Sequence, residues 1–405
     1  MSNIYLFTSS FPFSKGETFL ETEVLYLAKH FENVWIVPYQ YGASKLLRQM
    51  PENVIVKKPL RDGSVKTSVI LLRGIFNFHP LLPFIKDLHN IKSIKHFKRW
   101  IRETIITRWL LTHYEIKNII SDKRNCITYF YWGSGPTSSN LSILLNKRGK
   151  NVIVRFHGGD LYKELPENEH YIPFRTIQLK NISCAVPISA YGELYLQKNY
   201  PNINFKSDVH RLGTHYVGIA EPSTDNILRI VSCSNIIPIK RVEIIAQTLN
   251  KVTVPFEWVH FGDGICREKV EEIISDHIKP FCTFKGHTQL ADILAYYKSH
   301  PVDLFINVSS SEGVPVSVME AISFGVPIIA TDVGGTAELV DNSLGYLLPK
   351  DITPHMLQNV IENYYNLPKE EKDLLRQNAF IKWQHMADAE KNYTEFCNFL
   401  ESYNV

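Results

Sequence analysis

The stretch Val302–Val340, VDLFINVSSSEGVPVSVMEAISFGVPIIATDVGGTAELV, decides how the chain reads. An apolar run, VDLFINV, predicts a buried strand that ends in three serines. A Glu-Gly turn follows, and Pro315 stands at the start of a helix, where its missing N–H costs nothing. Gly325 is placed to cap that helix at its carboxyl end. A second buried strand, VPIIATD, then runs into the loop TDVGGT and another helix. Strand, loop and helix repeat twice within forty residues, as in a doubly wound parallel sheet.

That junction has a chemistry. Backbone N–H groups from Gly313 to Val316 have no partner inside the helix they precede, and a helix start favours diphosphate or sugar oxygens. Glu312 lies beside this anion site. Glu320 lies one to two turns further on, where a carboxylate can accept hydrogen bonds from a vicinal hydroxyl pair such as a ribose 2′ and 3′ pair. Either glutamate alone also reads as a helix-start charge or a solvated helix residue. The combination of turn, spacing and repeated strand-loop-helix favours a site.

Outward from this stretch the same rhythm holds. The chain opens with an apolar strand, Asn3 to Thr8, a loop SSFPFSKG, a helix from about Glu17 to Phe31 and the strand VWIVPY. Further strands are predicted at 126–132, 152–156, 184–188 and 207–212. A polar stretch at 220–226, AEPSTDN, reads as an interdomain linker. Beyond it come LRIVSCS, a helix from Val242, FEWVHFG, a helix near 267–277, CTFKG and a helix near 289–298. The tail from Thr353 reads as mostly helical. Two α/β domains follow, with ligands expected outside the carboxyl ends of the strands.

The segment 45–124 departs from this pattern. It holds 17 basic residues, from Lys45 to Arg124, against six acidic ones, while the whole chain carries a net charge of only +3. Apolar runs interleave, as in LLRGIFNFHPLLPFI and FKRWIRETIITRWLL. We read helices here: either a layer with a solvated charged face, or a docking surface for an anionic membrane face.

At 405 residues, 44% hydrophobic and 21% charged, the composition is that of an ordinary globular protein. The small net charge gives no case for a nucleic-acid partner. The six cysteines, 126, 184, 233, 266, 282 and 397, form no CxxC pair and read as free thiols of a reducing compartment. The opening MSNIYLFTSSFPF lacks the form of a signal peptide, and no apolar run approaches a membrane span. A cytoplasmic location is expected, with peripheral attachment to the inner membrane face as a further expectation.

Glu312-x7-Glu320, followed by EAISFGVPIIATDVGGTAELV, resembles family 4 of the retaining glycosyltransferases. The likeness is specific over about 302–348. It implies a GT-B fold, two Rossmann-like domains facing across a cleft. It also implies transfer of a sugar from a UDP- or GDP-linked donor to a lipid-linked or saccharide acceptor with retention, without metal or other cofactor, and assembly of a surface polysaccharide. By matching, Glu312, Gly313, Val314, Pro315 and Val316 contact the donor and Glu320 holds its ribose. Lys240, in VSCSNIIPIKRVEII, falls on the lysine of a basic clamp; Asn235 stands where the family has arginine. Two cations would neutralise a departing diphosphate better than one, so Arg241 or Ser234 is the expected substitute.

HFGDGICREKVEEII, with Gly262, resembles the second-strand turn near the nucleotide, and FKGHTQLADILAYY, with Gly286, the next element. In the first half, FPFSKGET resembles the glycine loop facing the donor phosphates, with Gly16 as the matching residue. RFHGGDLY places His157 on the active-site histidine and Asp160 on an acceptor-side polar position. Read without the likeness, Gly16 is a turn glycine and His157 a structural histidine. No Asp-x-Asp motif or cluster with metal spacing is present in the sequence. The expected domains are 1–219 on the acceptor side, 220–385 for the nucleotide sugar, and a helix at 386–405 packing back on the first domain. The competing readings are a non-catalytic sugar-nucleotide-binding partner subunit and another GT-B enzyme such as an epimerase.

Overall fold

The structure, a computed structural model, describes residues 3–14, 16–41, 48–63, 66–76, 85–135 and 138–403. Lys15 of the predicted glycine loop, Lys45 of the basic segment and residues 77–84 of its apolar run lie outside them. The chain divides into two compact units, Met1–His210 with Tyr393–Val405, and Arg211–Asn392.

The first unit runs β1 (Asn3–Thr8), α1 (Phe19–His30), β2 (Asn33–Pro38), β3 (Val54–Val56), α2 (Thr67–Phe76), α3 (Ile94–Leu110), α4 (Tyr114–Ser121), β4 (Cys126–Phe130), α5 (Ser139–Asn146), β5 (Asn151–Phe156), α6 (Arg175–Lys180), β6 (Cys184–Pro187) and α7 (Ala190–Asn199). Its sheet has the order β3-β2-β1-β4-β5-β6, parallel throughout. The central strands are buried on both faces, as parallel strands covered by helices must be, and Ile4, Leu6, Ile36, Ile127, Ile153 and Val154 are fully enclosed. The helical reading of the basic segment matches α2, α3 and α4, but its early part instead supplies the edge strand β3. The expected strand at 207–212 does not form. Ser207 makes one isolated parallel bridge to Ala185, and the backbone bonds from Ala185 N–H to Lys206, from Asp208 N–H to Ala185 and from His210 N–H to Pro187 follow β6 without a full strand.

One buried ion pair fixes this unit. Glu23 of α1 and Arg155 of β5 are fully enclosed and bonded to each other. Tyr129 Oη of β4 donates to Glu23 at 2.7 Å, and Arg155 also donates to the His210 carbonyl at 3.0 Å. The last helix, α15 (Ala389–Ser402), adds Phe396, whose ring lies 4.5 Å from the Arg155 guanidinium. Breaking one partner of such a pair would strand a buried charge.

The second unit contains β7 (Leu228–Cys233), α8 (Val242–Leu249), β8 (Phe256–Phe261), α9 (Arg267–Ile273), β9 (Cys282–Phe284), α10 (Leu290–Ser299), β10 (Leu304–Asn307), α11 (Val316–Ser323), β11 (Ile328–Thr331), α12 (Thr336–Leu339), β12 (Gly345–Leu348), α13 (Pro354–Tyr365) and α14 (Lys369–Met386). Its sheet order is β12-β11-β10-β7-β8-β9, again all parallel. Numbered within its own unit, this is the order of the first sheet read from the other edge. Each unit is therefore a Rossmann-like sheet, with its switch point between β1 and β4 or between β7 and β10.

Local signals set the element ends. Gly325, at φ +69°, follows α11. Its N–H bonds the Ile322 carbonyl at 3.0 Å and the Val326 N–H bonds Ala321 at 3.1 Å, a glycine-terminated helix as expected. Thr353 caps α13 by accepting from the Met356 N–H at 3.3 Å, with Pro354 in the first turn. The stretch 220–226, expected as a linker, lies inside the second unit. Ser223 N–H donates to Asp303 at 2.9 Å, and Arg376 of α14 bonds the carbonyls of Ala220 and Val302.

Candidate functional site

In the second unit the carboxyl ends of β7 and β10 carry the residues singled out by sequence. After β7 the chain turns through Pro238–Lys240, and Lys240 Nζ lies 2.6 Å from Glu312 Oε1, beyond β10. Asn307, the last residue of β10, brings its amide to 3.4 Å from the same oxygen. Glu312 is 10% and Lys240 23% exposed at the side chain, so the pair is largely withdrawn from water yet reachable.

The turn bearing Glu312 is held by the next strand's loop. Gly335 N–H donates to the Gly313 carbonyl at 2.7 Å. At Gly334, φ is +56° and a Cβ would lie 1.8 Å from the Glu312 carbonyl oxygen, so only glycine allows the two loops to meet. Pro315 is the N-cap of α11, and among the described residues the N–H groups of Gly313, Val314 and Val316 bond no protein acceptor. They form, with the helix dipole, an oxyanion-seeking edge.

Glu320 sits one turn into α11, 9% exposed, with no hydrogen-bond or ion-pair partner among the described residues. Burial alone pushes its carboxyl up to about 8. A lone buried carboxyl of this kind is costly unless a ligand supplies donors.

The other predicted residues of this unit divide in two. Gly262 (φ +136°) and Gly286 (φ +67°) bridge each other beyond β8 and β9, with a Gly262 N–H to Gly286 carbonyl bond of 2.9 Å. A Cβ on Gly262 would strike the Ser234 carbonyl at 1.8 Å, so the loops that follow β7 and β8 meet there at closest approach. Arg241, at φ +51°, is placed differently from a clamp. Its Nε donates to the Val308 carbonyl at 2.7 Å, Nη1 to Lys350 at 2.8 Å and Nη2 to Ser309 at 3.0 Å. Three of its five N–H bonds hold the strand-end loop in place, which makes it a positioning residue for the turn.

The first unit has a cavity of about 550 Å³ at its own switch point, lined by Thr8, Ser9, Gly16, Glu17, Trp132 and Asp160 among others. Gly16 is on its wall, with room for a Cβ 3.6 Å from Ser14 Oγ. Asp160 accepts from the N–H of His157 at 2.7 Å and from the N–H of Gly133. Burial would raise its pKa; the His157 imidazole 3.8 Å away, the Gly133 amide and Arg175 outweigh it and hold the carboxylate below the ordinary value. His157 lies between Tyr131 and Trp132, with both ring centroids 4.6 Å away, and neither ring nitrogen bonds a described group.

Two residues of this wall were missed by sequence reasoning. Glu17, at φ +57°, accepts from the N–H groups of Ser9, Ser10 and Phe11 at 2.9, 2.7 and 2.7 Å and from Trp132 Nε1 at 2.7 Å. Its carboxylate fills the nest of amides after β1 that an external anion could otherwise use. Trp132 is pinned by the same group. Nothing in a short polar loop marks Glu17 as a nest-filler, because the three amides converge only once β1 ends and the loop turns.

Residues 228–366 match the family model described as Glycosyl transferases group 1. Over 159 residues the chain is 28% identical to the UDP-N-acetylglucosamine–peptide N-acetylglucosaminyltransferase GtfA subunit of Streptococcus agalactiae, covering 37% of this chain and 30% of that protein. Over 128 residues it is 30% identical to the O-antigen biosynthesis glycosyltransferase WbnH of Escherichia coli, covering 31% of this chain and 36% of that one. The match thus spans about a third of the length of these two curated relatives. The crystal structure of Anabaena HepE in complex with UDP-glucose superposes with a TM-score of 0.64 over 99% of this chain and 100% of that one, at 14% identity, a likeness of fold. With two Rossmann-like sheets of the same strand order, the chain has the GT-B fold, and residues 228–366 of its second unit are similar to the group 1 glycosyl transferases.

Proposed function

We propose that this chain transfers a sugar from a nucleotide-diphosphate sugar to an acceptor hydroxyl with retention of configuration, as a family 4 enzyme in surface polysaccharide assembly. The observation that carries the reading is the Lys240–Glu312 pair at the β7/β10 switch point, beside the unbonded amides of Gly313, Val314 and Val316. The relatives' names, a UDP-N-acetylglucosamine transferase and an O-antigen glycosyltransferase, favour a UDP-linked donor and a saccharide or lipid-linked acceptor.

In this reading the second unit takes the donor. The diphosphate meets the amides at the start of α11 and the Lys240 ammonium, and the ribose hydroxyls donate to Glu320. Gly262, Gly286 and Ser234 shape the turns near the nucleotide. Glu312 holds the donor sugar and orients Lys240. During transfer the bond from the anomeric carbon to the diphosphate oxygen breaks and a bond to the acceptor oxygen forms on the same face. The acceptor proton passes to the departing diphosphate oxygen, so no strong general base is required. Lys240 and the amides stabilise the charge that develops there, and such preorganised donors are worth roughly 10²–10³ in rate each. His157 and Asp160 of the first unit are assigned to positioning on the acceptor side. Charge stabilisation by these protein groups supports a reaction without metal, and the chain is assigned to the cytoplasm, where nucleotide sugars are used.

A panel of UDP-, GDP- and ADP-sugars tests the donor. The cognate donor raises the melting temperature, because a ligand that binds only the folded state stabilises it, and NMR of the product reports the anomeric configuration. An inverted product would remove the retaining assignment; donor turned over with no acceptor would favour an epimerase.

A further inference from the structure

The helices α2 and α3 of the first unit carry a surface that holds no residue of either strand-end site. The amino-terminal half of helix α3 is anchored through one face. The His96 ring nitrogen lies 2.9 Å from the Glu169 carbonyl, with its ring stacked on Tyr171, and Arg99 donates to the carbonyls of Glu167, Asn168 and Tyr171. Trp100 and Glu103 continue that buried stripe. The opposite face shows Ile94, Phe97 and Ile101, at 76%, 45% and 38% exposure. Helix α2 lies against α3 so closely that a methyl on Gly74 would meet the Ile105 carbonyl at 2.2 Å. Its own outer face shows Leu72, Ile75 and Phe76, the last 66% exposed.

These apolar side chains are set among cations. Arg73, Lys86, Lys92, Lys95, Lys98 and Arg102 are all exposed, and Lys95 is bonded to Glu169 at 2.8 Å. Over residues 66–76 and 85–102 the only acidic side chain is Asp87. It is buried, and it accepts from Tyr171 Oη at 2.5 Å and from the Phe174 N–H at 3.0 Å. A merely solvated helical face has no reason to hold six large apolar side chains out in water. A nucleic acid would call for cations without that apolar stripe, whereas leucine, isoleucine and phenylalanine interleaved with lysine and arginine fit an interface of headgroups over acyl chains.

We propose that the outer face of α2 and α3 docks this protein onto a bilayer surface rich in anionic lipid, with Phe76, Ile94 and Phe97 entering the interface and Lys98 and Arg102 meeting the headgroups. The charge complementarity commits the face to lipid. The inference is independent of the glycosyl-transfer reading, because it uses no residue of either strand-end site.

The full chain is tested by flotation with vesicles of phosphatidylcholine alone and with about one third phosphatidylglycerol. Binding is expected to the anionic vesicles at low salt, to vanish near 0.5 M salt as screening sets in, and to be absent on phosphatidylcholine. Near the membrane each cation contributes about 1 kcal/mol, so K98E/R102E should lower partitioning at least tenfold. F76S/F97S should lower it by a similar factor while leaving the salt dependence in place. All four positions are exposed, and unchanged melting temperatures would confirm that the variants fold. No binding to anionic vesicles at low salt would overturn the proposal. So would binding that neither double variant weakens, or a concentration-dependent dimer that both variants abolish in the absence of lipid. Transfer activity on a soluble acceptor should survive in both variants, so a failed flotation and a failed transferase assay are separate outcomes.

Discussion

Lys240 Nζ and Glu312 Oε1 stand 2.6 Å apart across the ends of two neighbouring parallel strands, β7 and β10. A bond that joins residues 72 positions apart makes the ammonium a fixed object rather than a mobile surface cation. Its orientation is set before a diphosphate arrives, which is what charge stabilisation in a transition state requires.

Replacing Lys240 with alanine should therefore lower turnover by roughly 10²–10³, with a modest fall in melting temperature, since Glu312, 10% exposed, loses its cation. Initial rates with the cognate donor check this. Arg241→Ala should behave differently. It removes three bonds to backbone carbonyls and should lower stability as well as activity.

Glu320 gives a pH prediction with a definite sign. Burial lifts its carboxyl from 4.5 to about 8. Between those values the folded protein holds a proton that the unfolded chain has released, so this residue makes stability fall as pH rises from about 4.5 through 8, and level off above. Glu320→Gln should remove that slope and make the ligand-free protein more stable above pH 8, on the order of 1–3 kcal/mol. Denaturant unfolding at pH 5.5 and 8.5 measures it. The same variant should lose the donor-induced rise in melting temperature.

Gly334→Ala places a methyl 1.8 Å from the Glu312 carbonyl at a backbone angle that favours glycine. The 312–313 turn must move. Nucleotide affinity should fall at least tenfold by calorimetry, while the first unit, which contains none of these residues, keeps its own unfolding transition.

Glu17→Ala leaves the amides of Ser9, Ser10 and Phe11 and the Trp132 indole without their acceptor. Charge-assisted bonds of this kind make the change cost roughly 2–4 kcal/mol in the first unit. Chemical denaturation followed by tryptophan fluorescence reads it out. Inorganic phosphate should partly restore stability by entering the emptied nest.

The sequence made the second unit nearly complete because its signals are local. Apolar runs too continuous for solvated strands, Pro315 before a helix and Gly325 after it each act within a few residues. The pairing of Glu312 with the helix start was legible for the same reason. Arg241 was not. Beside Lys240 it looks like a second clamp cation, and only the approach of Val308, Ser309 and Lys350, more than sixty positions away, shows that its donors are committed. Glu17 was hidden likewise, because its partners are backbone amides that carry no mark in a sequence. The 207–212 run has strand-like composition and does pair along the edge strand β6, but only through one bridge and three backbone bonds.

A crystal structure with the cognate nucleotide bound tests the donor site most directly. The diphosphate oxygens should lie within about 3.2 Å of the amides of Gly313, Val314 or Val316 and of Lys240 Nζ, with the ribose hydroxyls on Glu320. A diphosphate seated elsewhere, with Lys240 and Glu312 still paired and untouched, would contradict the assignment.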